Sequence, residues 1–421
     1  MPRARDEVLH ARLAAEYGTP LYVYDLDDVA EAKADLFSSL PEGVDLYYAL
    51  KANPHPDIVR TLGEDGPGAP GCGTEISSTG ELAAVLAAGL SAAGCLYTGP
   101  GKTARELDEA IRLGVRLFST DSVTDVRRLD SVAARRGVRV ETLLRVNAAS
   151  ASATTSIRMT GTPSQFGFDS EDLPGTLAEL RADAADSGGL RAVDITGMHF
   201  FPLSNTTDED NLVGEFRNTL AEAAELSRVH ELPLRYLDIG GGFSVPYGVP
   251  GGRTRYPKLR TELEAALDVE FPHWRDGSPR IAFESGRYLA GGSGTLLATV
   301  TNVKVSRGRK FVITDAGINT FGGMSGLGRL LPVAVEPAGP GEPVERASLV
   351  GPLCTPGDVL GREIELPELA PGDLLAIPNA GAYGPTASLL MFLGRPAPTE
   401  VTVRDGAVVS ASRLVHSRSP R

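Results

Sequence analysis

From Leu46 to about Glu284, short apolar runs alternate with longer stretches whose apolar residues recur at helical spacing. The strand-like runs are Asp45–Leu50, Cys72–Ser77, Gly94–Thr98, Arg116–Thr120, Arg139–Val146, Ala192–Phe200, Leu234–Ile239 and Arg280–Glu284. Between them the pattern predicts helices over Ser78–Gly89, Ala104–Leu113, Val123–Arg135, Leu173–Asp186, Asp208–His230 and Lys258–Val269. Cap-like residues precede several: Ser78 with Glu81 three positions on, and Asp121-Ser122. About eight strands, nearly all followed by helices, predict parallel pairing with right-handed crossovers. The regularity favours a closed (β/α)8 barrel over an open sheet.

After about Ser285 the helical pattern nearly vanishes. Thr295–Val305, Lys310–Thr314, Ala347–Val350, Leu374–Ile377 and Thr399–Val403 read as strands between Pro- and Gly-rich turns. The expected division is therefore an α/β barrel domain over 26–284 and a mostly β domain over 285–421. Residues 1–25, which end in Pro20-Leu21-Tyr22-Val23-Tyr24, are expected to join the second domain. The basic, Ser-rich tail Ser410–Arg421 is expected to fray.

Composition narrows the class. With 421 residues, 42% hydrophobic and 23% charged, the chain fits a two-domain globular protein. It has no apolar run long enough for a membrane span, and its first residues lack a secretory pattern. A net charge of −13 argues against nucleic acid as a partner. Cys72, Cys95 and Cys354 form an odd set without close pairing, which points to reduced thiols and a cytoplasmic protein.

In a (β/α)8 barrel, reactive groups gather where strands end. Those positions hold Lys51, Glu75, Arg145, His199, Gly240-Gly241-Gly242 and Glu284. A lysine closing a buried strand is where a desolvated amine able to form a Schiff base would sit, although solvated strand ends also carry lysine. Three successive glycines let backbone amides approach a phosphate, or simply make a tight turn. Glu284 can keep a pyridine nitrogen protonated, or pair internally with Arg287, which could itself add charge to a phosphate site. His199 can stack on a cofactor ring or be a core histidine. Arg145, inside an apolar run, needs an anionic partner. Two turns of the β domain carry Cys354, a candidate proton donor or an inert thiol, and Tyr383, a phenol beside two glycines.

In this order the motifs resemble the alanine-racemase-fold (fold type III) decarboxylases that use pyridoxal phosphate (PLP), a group including diaminopimelate, ornithine and arginine decarboxylases. The matching segments are Tyr48–Asn53, Glu75–Glu81, Tyr97–Lys102, Ser164–Gly167, Met198-His199, Asp238–Phe243, Glu284–Tyr288, Gly351–Asp358 and Gly381–Gly384. The resemblance implies that Lys51 carries PLP, His199 stacks on its ring and Glu284 pairs with its nitrogen. Glu75 and Arg145 would line the same cofactor site. Gly240, Gly241, Gly242, Arg287 and Tyr383 would hold the phosphate. It also implies a homodimer with shared active sites, in which Cys354 protonates Cα in the neighbouring subunit. No metal is implied. Positions implied to face the substrate are Arg329, Thr355, Asp358 and Met391.

The chain departs from the family at informative places. Diamine-forming members carry an acidic residue directly after the cysteine, to bind the substrate's distal ammonium; here that residue is Thr355. A buried ammonium without its carboxylate loses several kcal/mol. The family's His-x-Gly-Ser is His199-Phe200-Phe201-Pro202 here, which alters one phosphate contact. The expected substrate is thus an amino acid already joined to another group, decarboxylated at Cα in a siderophore- or antibiotic-like pathway. The alternatives are a diaminopimelate decarboxylase of lysine biosynthesis and a PLP-dependent racemase.

Overall fold

The computed structural model describes residues 4–148, 163–185, 189–322 and 334–419. The chain forms two compact units. One comprises 33–244 and 254–285; the other comprises 1–32, 245–253 and 286–421.

Strand β1 (Leu21–Asp25) belongs to the second unit. The first unit contains β2 (Asp45–Ala49), β3 (Gly73–Ile76), β4 (Cys95–Tyr97), β5 (Leu117–Thr120) and β6 (Val140–Asn147). After the two-residue β7 (Phe168–Asp169) come β8 (Val193–Phe200), β9 (Tyr236–Asp238) and β10 (Arg280–Ser285). Every pairing among them is parallel, in the order β5-β4-β3-β2-β10-β9-β8-β6, and β5 pairs with β6 to close the ring. The eight strands are therefore a (β/α)8 barrel, with β7 attached to β6.

Several of the predicted helices have their ends specified locally. Thr103 and Glu106 make a reciprocal capping box at the start of Ala104–Leu113, and Gly114 ends that helix at φ 115°. The Ser78 hydroxyl accepts from the Glu81 amide at 3.1 Å, and Ser122 caps Val123–Arg136 in the same way. Such a cap stabilises a helix by about 1 kcal/mol.

Side chains alternate between the two faces of a strand, so one parity of each barrel strand points inward. Tyr47, Leu96, Leu143, Tyr236 and Ala282, with Leu117 against them, make one apolar interior cluster. Two residues further along the same strands stand Ala49, Thr98, Arg145, Asp238, Glu284 and Ser119. The layer above the apolar plug is thus mostly polar, and the site is built on it.

In the second unit, β1 pairs with β11 (Gly294–Ser306) and, in parallel, with β16 (Thr399–Arg404). The remaining strands are β12 (Arg309–Thr314), β13 (Glu345–Val350), β14 (Val359–Leu366), β15 (Leu374–Ile377) and β17 (Ala407–Arg413). Leu13 of the helix Ala4–Tyr17 buries against Leu21, Val23, Leu297, Val401 and Val403. Two expectations change. Residues 26–32 and 245–253, placed in the barrel by sequence order, group with this unit, where Tyr247 stacks on Phe321 at 4.6 Å and donates to the Tyr383 carbonyl. The start of the tail is ordered, because β17 pairs antiparallel with β16 through Arg413.

Candidate active site

Lys51 lies in a single 3-10 turn, Leu50–Ala52, directly after β2. Its Nζ is 3.1 Å from Glu75 Oε2 and 3.3 Å from Oε1, and Thr98 donates to Oε1 at 2.6 Å. Glu75 is buried on β3, whereas the lysine side chain is 45% exposed. The amine is therefore oriented by a fixed carboxylate yet open to a ligand. The Phe201 ring lies 5.5 Å from the same Nζ, and it borders Gly240, whose missing Cβ would come within 3.0 Å of it.

His199 ends β8 beside Glu284 on β10, with Nε2 3.3 Å from Oε1 and both side chains 2% exposed. Candidate ligand atoms of His199, Asp238 and Glu284 all lie within 4.8 Å of one another. Among the described residues, His199 Nε2, Glu284 Oε1 and Asp238 Oδ2 are buried without a hydrogen-bond partner. Burial holds the imidazole well below its usual range, reinforced by the positive charges of Arg145, Lys51 and Lys102. Burial pushes Glu284 well above the usual carboxylate range, and the nearby Glu75 and Asp238 add to it. Burial likewise raises Asp238 to about 7. A buried carboxyl with an open oxygen is suited to receive a cationic N–H, which would favour its ionised form.

The turn after β9 requires glycine. Gly240 has φ 73° and Gly242 φ 131°. A Cβ on Gly241 would stand 2.1 Å from the Glu284 carbonyl oxygen. The Gly240 amide donates to Asp238 Oδ1 at 2.9 Å, and its carbonyl accepts from the Glu284 amide at 2.8 Å. The glycine turn and the strand bearing Glu284 are thereby locked together.

Arg145 on β6 has the anionic partner its burial demands: Asp121 Oδ1 is 3.9 Å away, and the Phe166 ring lies under the guanidinium at 4.6 Å. The barrel thus brings together Lys51, Glu75, Arg145, His199, Gly240, Gly241, Gly242 and Glu284. The other expected residues belong to the second unit. Arg287 stacks on Tyr383 at 5.0 Å. Cys354 is an exposed free thiol, followed by Thr355 in the same turn. Asp358 was expected on the substrate; instead it is buried and accepts from the amides of Ile318 at 2.8 Å and Leu353 at 2.7 Å, so it ties loops together. Met391 is 72% exposed, in an apolar stretch with Leu389, Phe392 and Leu393. Arg329 lies outside the described residues.

The sequence patterns give no role to Ser119, and they place Thr98 and Asp238 only within motifs. The signal available for them was parity: each is a polar residue in the inward register of a buried strand.

A family model described as the pyridoxal binding domain of pyridoxal-dependent decarboxylases matches residues 26–291. The chain belongs to this family. Its cofactor is PLP, and it is a carboxy-lyase acting on an amino-acid-type substrate. Three relatives bear on its chemistry. The L-glutamyl-[BtrI acyl-carrier protein] decarboxylase of Niallia circulans is 29% identical over 96% of this chain and 92% of its own. The diaminopimelate decarboxylase of Methanothermobacter thermautotrophicus is 33% identical over 94% and 89%. The 2-[(L-alanin-3-ylcarbamoyl)methyl]-2-hydroxybutanedioate decarboxylase of Staphylococcus aureus is 29% identical over 90% and 92%. The residues present fit PLP: an accessible amine, a buried carboxyl with an unpartnered oxygen, and a glycine turn no Cβ could enter. Among the described residues no helix is long and apolar enough to cross a membrane.

Proposed function

We propose that this decarboxylase acts on an α-amino acid whose side chain is already joined to another group, releasing CO2 from Cα to leave an amine. The observation that carries this reading is Thr355, which stands after Cys354 where diamine-forming members have an acid. A free distal ammonium would have no carboxylate at that position. Two relatives support it, since their names describe conjugated amino acids: one on an acyl-carrier protein, one joined through a carbamoyl group. A siderophore- or antibiotic-like pathway suits such a substrate.

In this reading Lys51 would hold the cofactor through its amine, Glu284 would pair with the ring nitrogen, His199 would support the ring, and Gly240–Gly242 would receive the phosphate. PLP when bound supplies the electron sink for the pair released as the Cα–carboxylate bond breaks. Glu75 and Thr98 orient the Lys51 amine when it is free. Phe201, which packs on Gly240, borders that amine on one side. The proton that replaces CO2 on Cα comes from the Cys354 thiol or from Lys51. The exposure of Cys354 supports a homodimer in which this turn serves the barrel of a second copy. Three cysteines without a disulfide support a cytoplasmic location.

Mass spectrometry of the holoenzyme with free and side-chain-acylated diamino acids tests the substrate class. CO2 loss confined to the acylated compounds is expected. Rapid release from free meso-diaminopimelate would overturn the proposal and favour the second reading, diaminopimelate decarboxylation, which the 33% identity to that enzyme supports.

A further inference from the structure

Ser119 lies on β5, fully buried, with Oγ 2.7 Å from His199 Nδ1. The two side chains bridge over β6, which pairs with both strands: Ser119 stands opposite Leu143, and Arg145 opposite His199. The backbone of Ser119 is pinned as well. Its carbonyl accepts from Lys102 Nζ at 2.8 Å, and that buried ammonium is held by Asp125 at 2.7 Å and by the Gly99 carbonyl.

A hydroxyl can donate one hydrogen bond, and a buried one left undonated is costly. Among the described residues Nδ1 of His199 is the sole partner of the Ser119 hydroxyl, so the hydroxyl donates and Nδ1 accepts. The ring is surrounded by the cations Arg145, Lys51 and Lys102, which together with burial keep it neutral; the carboxyls of Glu284 and Asp238 face it from β10 and β9. A neutral imidazole carries one proton. If Nδ1 accepts, that proton is on Nε2, the atom 3.3 Å from Glu284 Oε1. We propose that Ser119 is a positioning residue that fixes His199 as the Nε2–H tautomer, turning an N–H rather than a lone pair toward Glu284.

The consequence is electrostatic. With the opposite tautomer, a nitrogen lone pair would confront the carboxylate, and the ionised form of Glu284 would be disfavoured. With Nε2–H, the imidazole dipole favours the anion, the form that a protonated ring nitrogen requires. Ser119 thus acts through His199 on Glu284 and touches neither substrate nor cofactor in this assignment. The tautomer follows from the Ser119 hydrogen bond and the neutrality of the buried ring, both properties of the chain itself. Only its use in catalysis rests on the decarboxylase reading, so an enzyme inactive on every acylated amino acid would leave the tautomer assignment intact.

The test is long-range 1H–15N correlation on holoenzyme labelled with [15N]histidine, which has only six histidines to resolve. The His199 signals are assigned by their loss in His199→Gln. Wild type should show a protonated Nε2 and a hydrogen-bonded, unprotonated Nδ1. Ser119→Ala should move the Nδ1 resonance or transfer the proton to Nδ1, and Ser119→Thr should restore the wild-type pattern. Should the alanine variant fail to fold, near-isosteric Ser119→Cys, a weaker donor, should shift Nδ1 toward its non-bonded value. A purely structural serine would change the melting temperature and leave the tautomer unmoved. Nδ1–H in the wild type, or wild-type histidine signals in the alanine or cysteine variant, would overturn the proposal.

Discussion

Nε2 of His199 and Oε1 of Glu284 face each other at 3.3 Å inside the barrel, and neither has a hydrogen-bond partner among the described residues. Two open polar atoms at that depth are costly unless a ligand completes them. The ring nitrogen of the family's cofactor, once protonated, is a donor able to complete Glu284 Oε1. Glu284→Gln keeps the shape but cannot carry a negative charge opposite that nitrogen. Its CO2 release should fall about 100-fold or more on any amino acid the wild type decarboxylates. The visible absorbance of the bound cofactor should persist, because Lys51 is untouched. Loss of cofactor in this variant, measured by absorbance after gel filtration, would mean that Glu284 binds rather than activates.

The lysine at the mouth should show the reverse. The Lys51 side chain is 45% exposed where it meets Glu75, and Thr98 still donates to that carboxylate when the ammonium is gone. Lys51→Ala should therefore fold, at a cost of about 1 kcal/mol, and be colourless after dialysis against cofactor-free buffer. An unchanged visible band in the variant would assign the covalent link to another residue.

The barrel was largely written in local patterns. The eight apolar runs became the eight strands of the closed ring, with ends moved by two residues at most. Ala104–Leu113 has its predicted limits because Thr103, Glu106 and Gly114 specify both ends locally. Lys51 and Glu284 stood out as candidates because they follow or end such runs, and Glu75 and His199 because they lie within two residues of a run's end. Thr98 and Ser119 did not, since a threonine or serine near a strand end is unremarkable until the register across strands shows one shared layer. Residues 245–253 were misplaced for a related reason. The stacking of Tyr247 on Phe321 links positions far apart in sequence, and no local periodicity encodes it. Asp358 looked like a ligand because it ends a familiar motif, but two backbone amides already occupy its oxygens.

Asp238 makes the cofactor-free protein sensitive to pH. Burial pushes its carboxyl in the folded protein up to about 7, above the 3.8 of the ordinary group. The folded protein therefore keeps a proton that the unfolded chain releases. Stability is fully present below about pH 4 as far as this group is concerned, and declines as pH rises toward and through 7. The slope for one such proton is about 1.4 kcal/mol per pH unit within that window. Asp238→Asn removes the titration. Urea unfolding of apoprotein at pH 5 and pH 7 should show a smaller drop between the two values in the variant. An equal drop in both proteins would assign the pH dependence to other groups.

Gly241 joins the glycine turn after β9 to Glu284 by close approach. A methyl group there would stand 2.1 Å from the Glu284 carbonyl oxygen, well inside contact distance, and that oxygen belongs to a backbone already tied to Gly240 through the Glu284 amide. Neither partner is a flexible side-chain end, so the turn and β10 must separate. Gly241→Ala should cost about 1–3 kcal/mol in apoprotein stability, as overpacking of a tight interior does. It should also weaken cofactor binding, because the displaced turn carries the amides expected to face the phosphate while the displaced strand carries Glu284. Fluorescence titration of apoprotein with PLP should then show an affinity loss of at least about tenfold, the equivalent of 1.4 kcal/mol. Gly89→Ala gives the control for backbone strain: that glycine has φ 80° and no atom within 4 Å of its missing Cβ, so it should lose stability while leaving PLP affinity unchanged. Equal losses of affinity in the two variants would show that general destabilisation, rather than the contact with Glu284, governs cofactor binding.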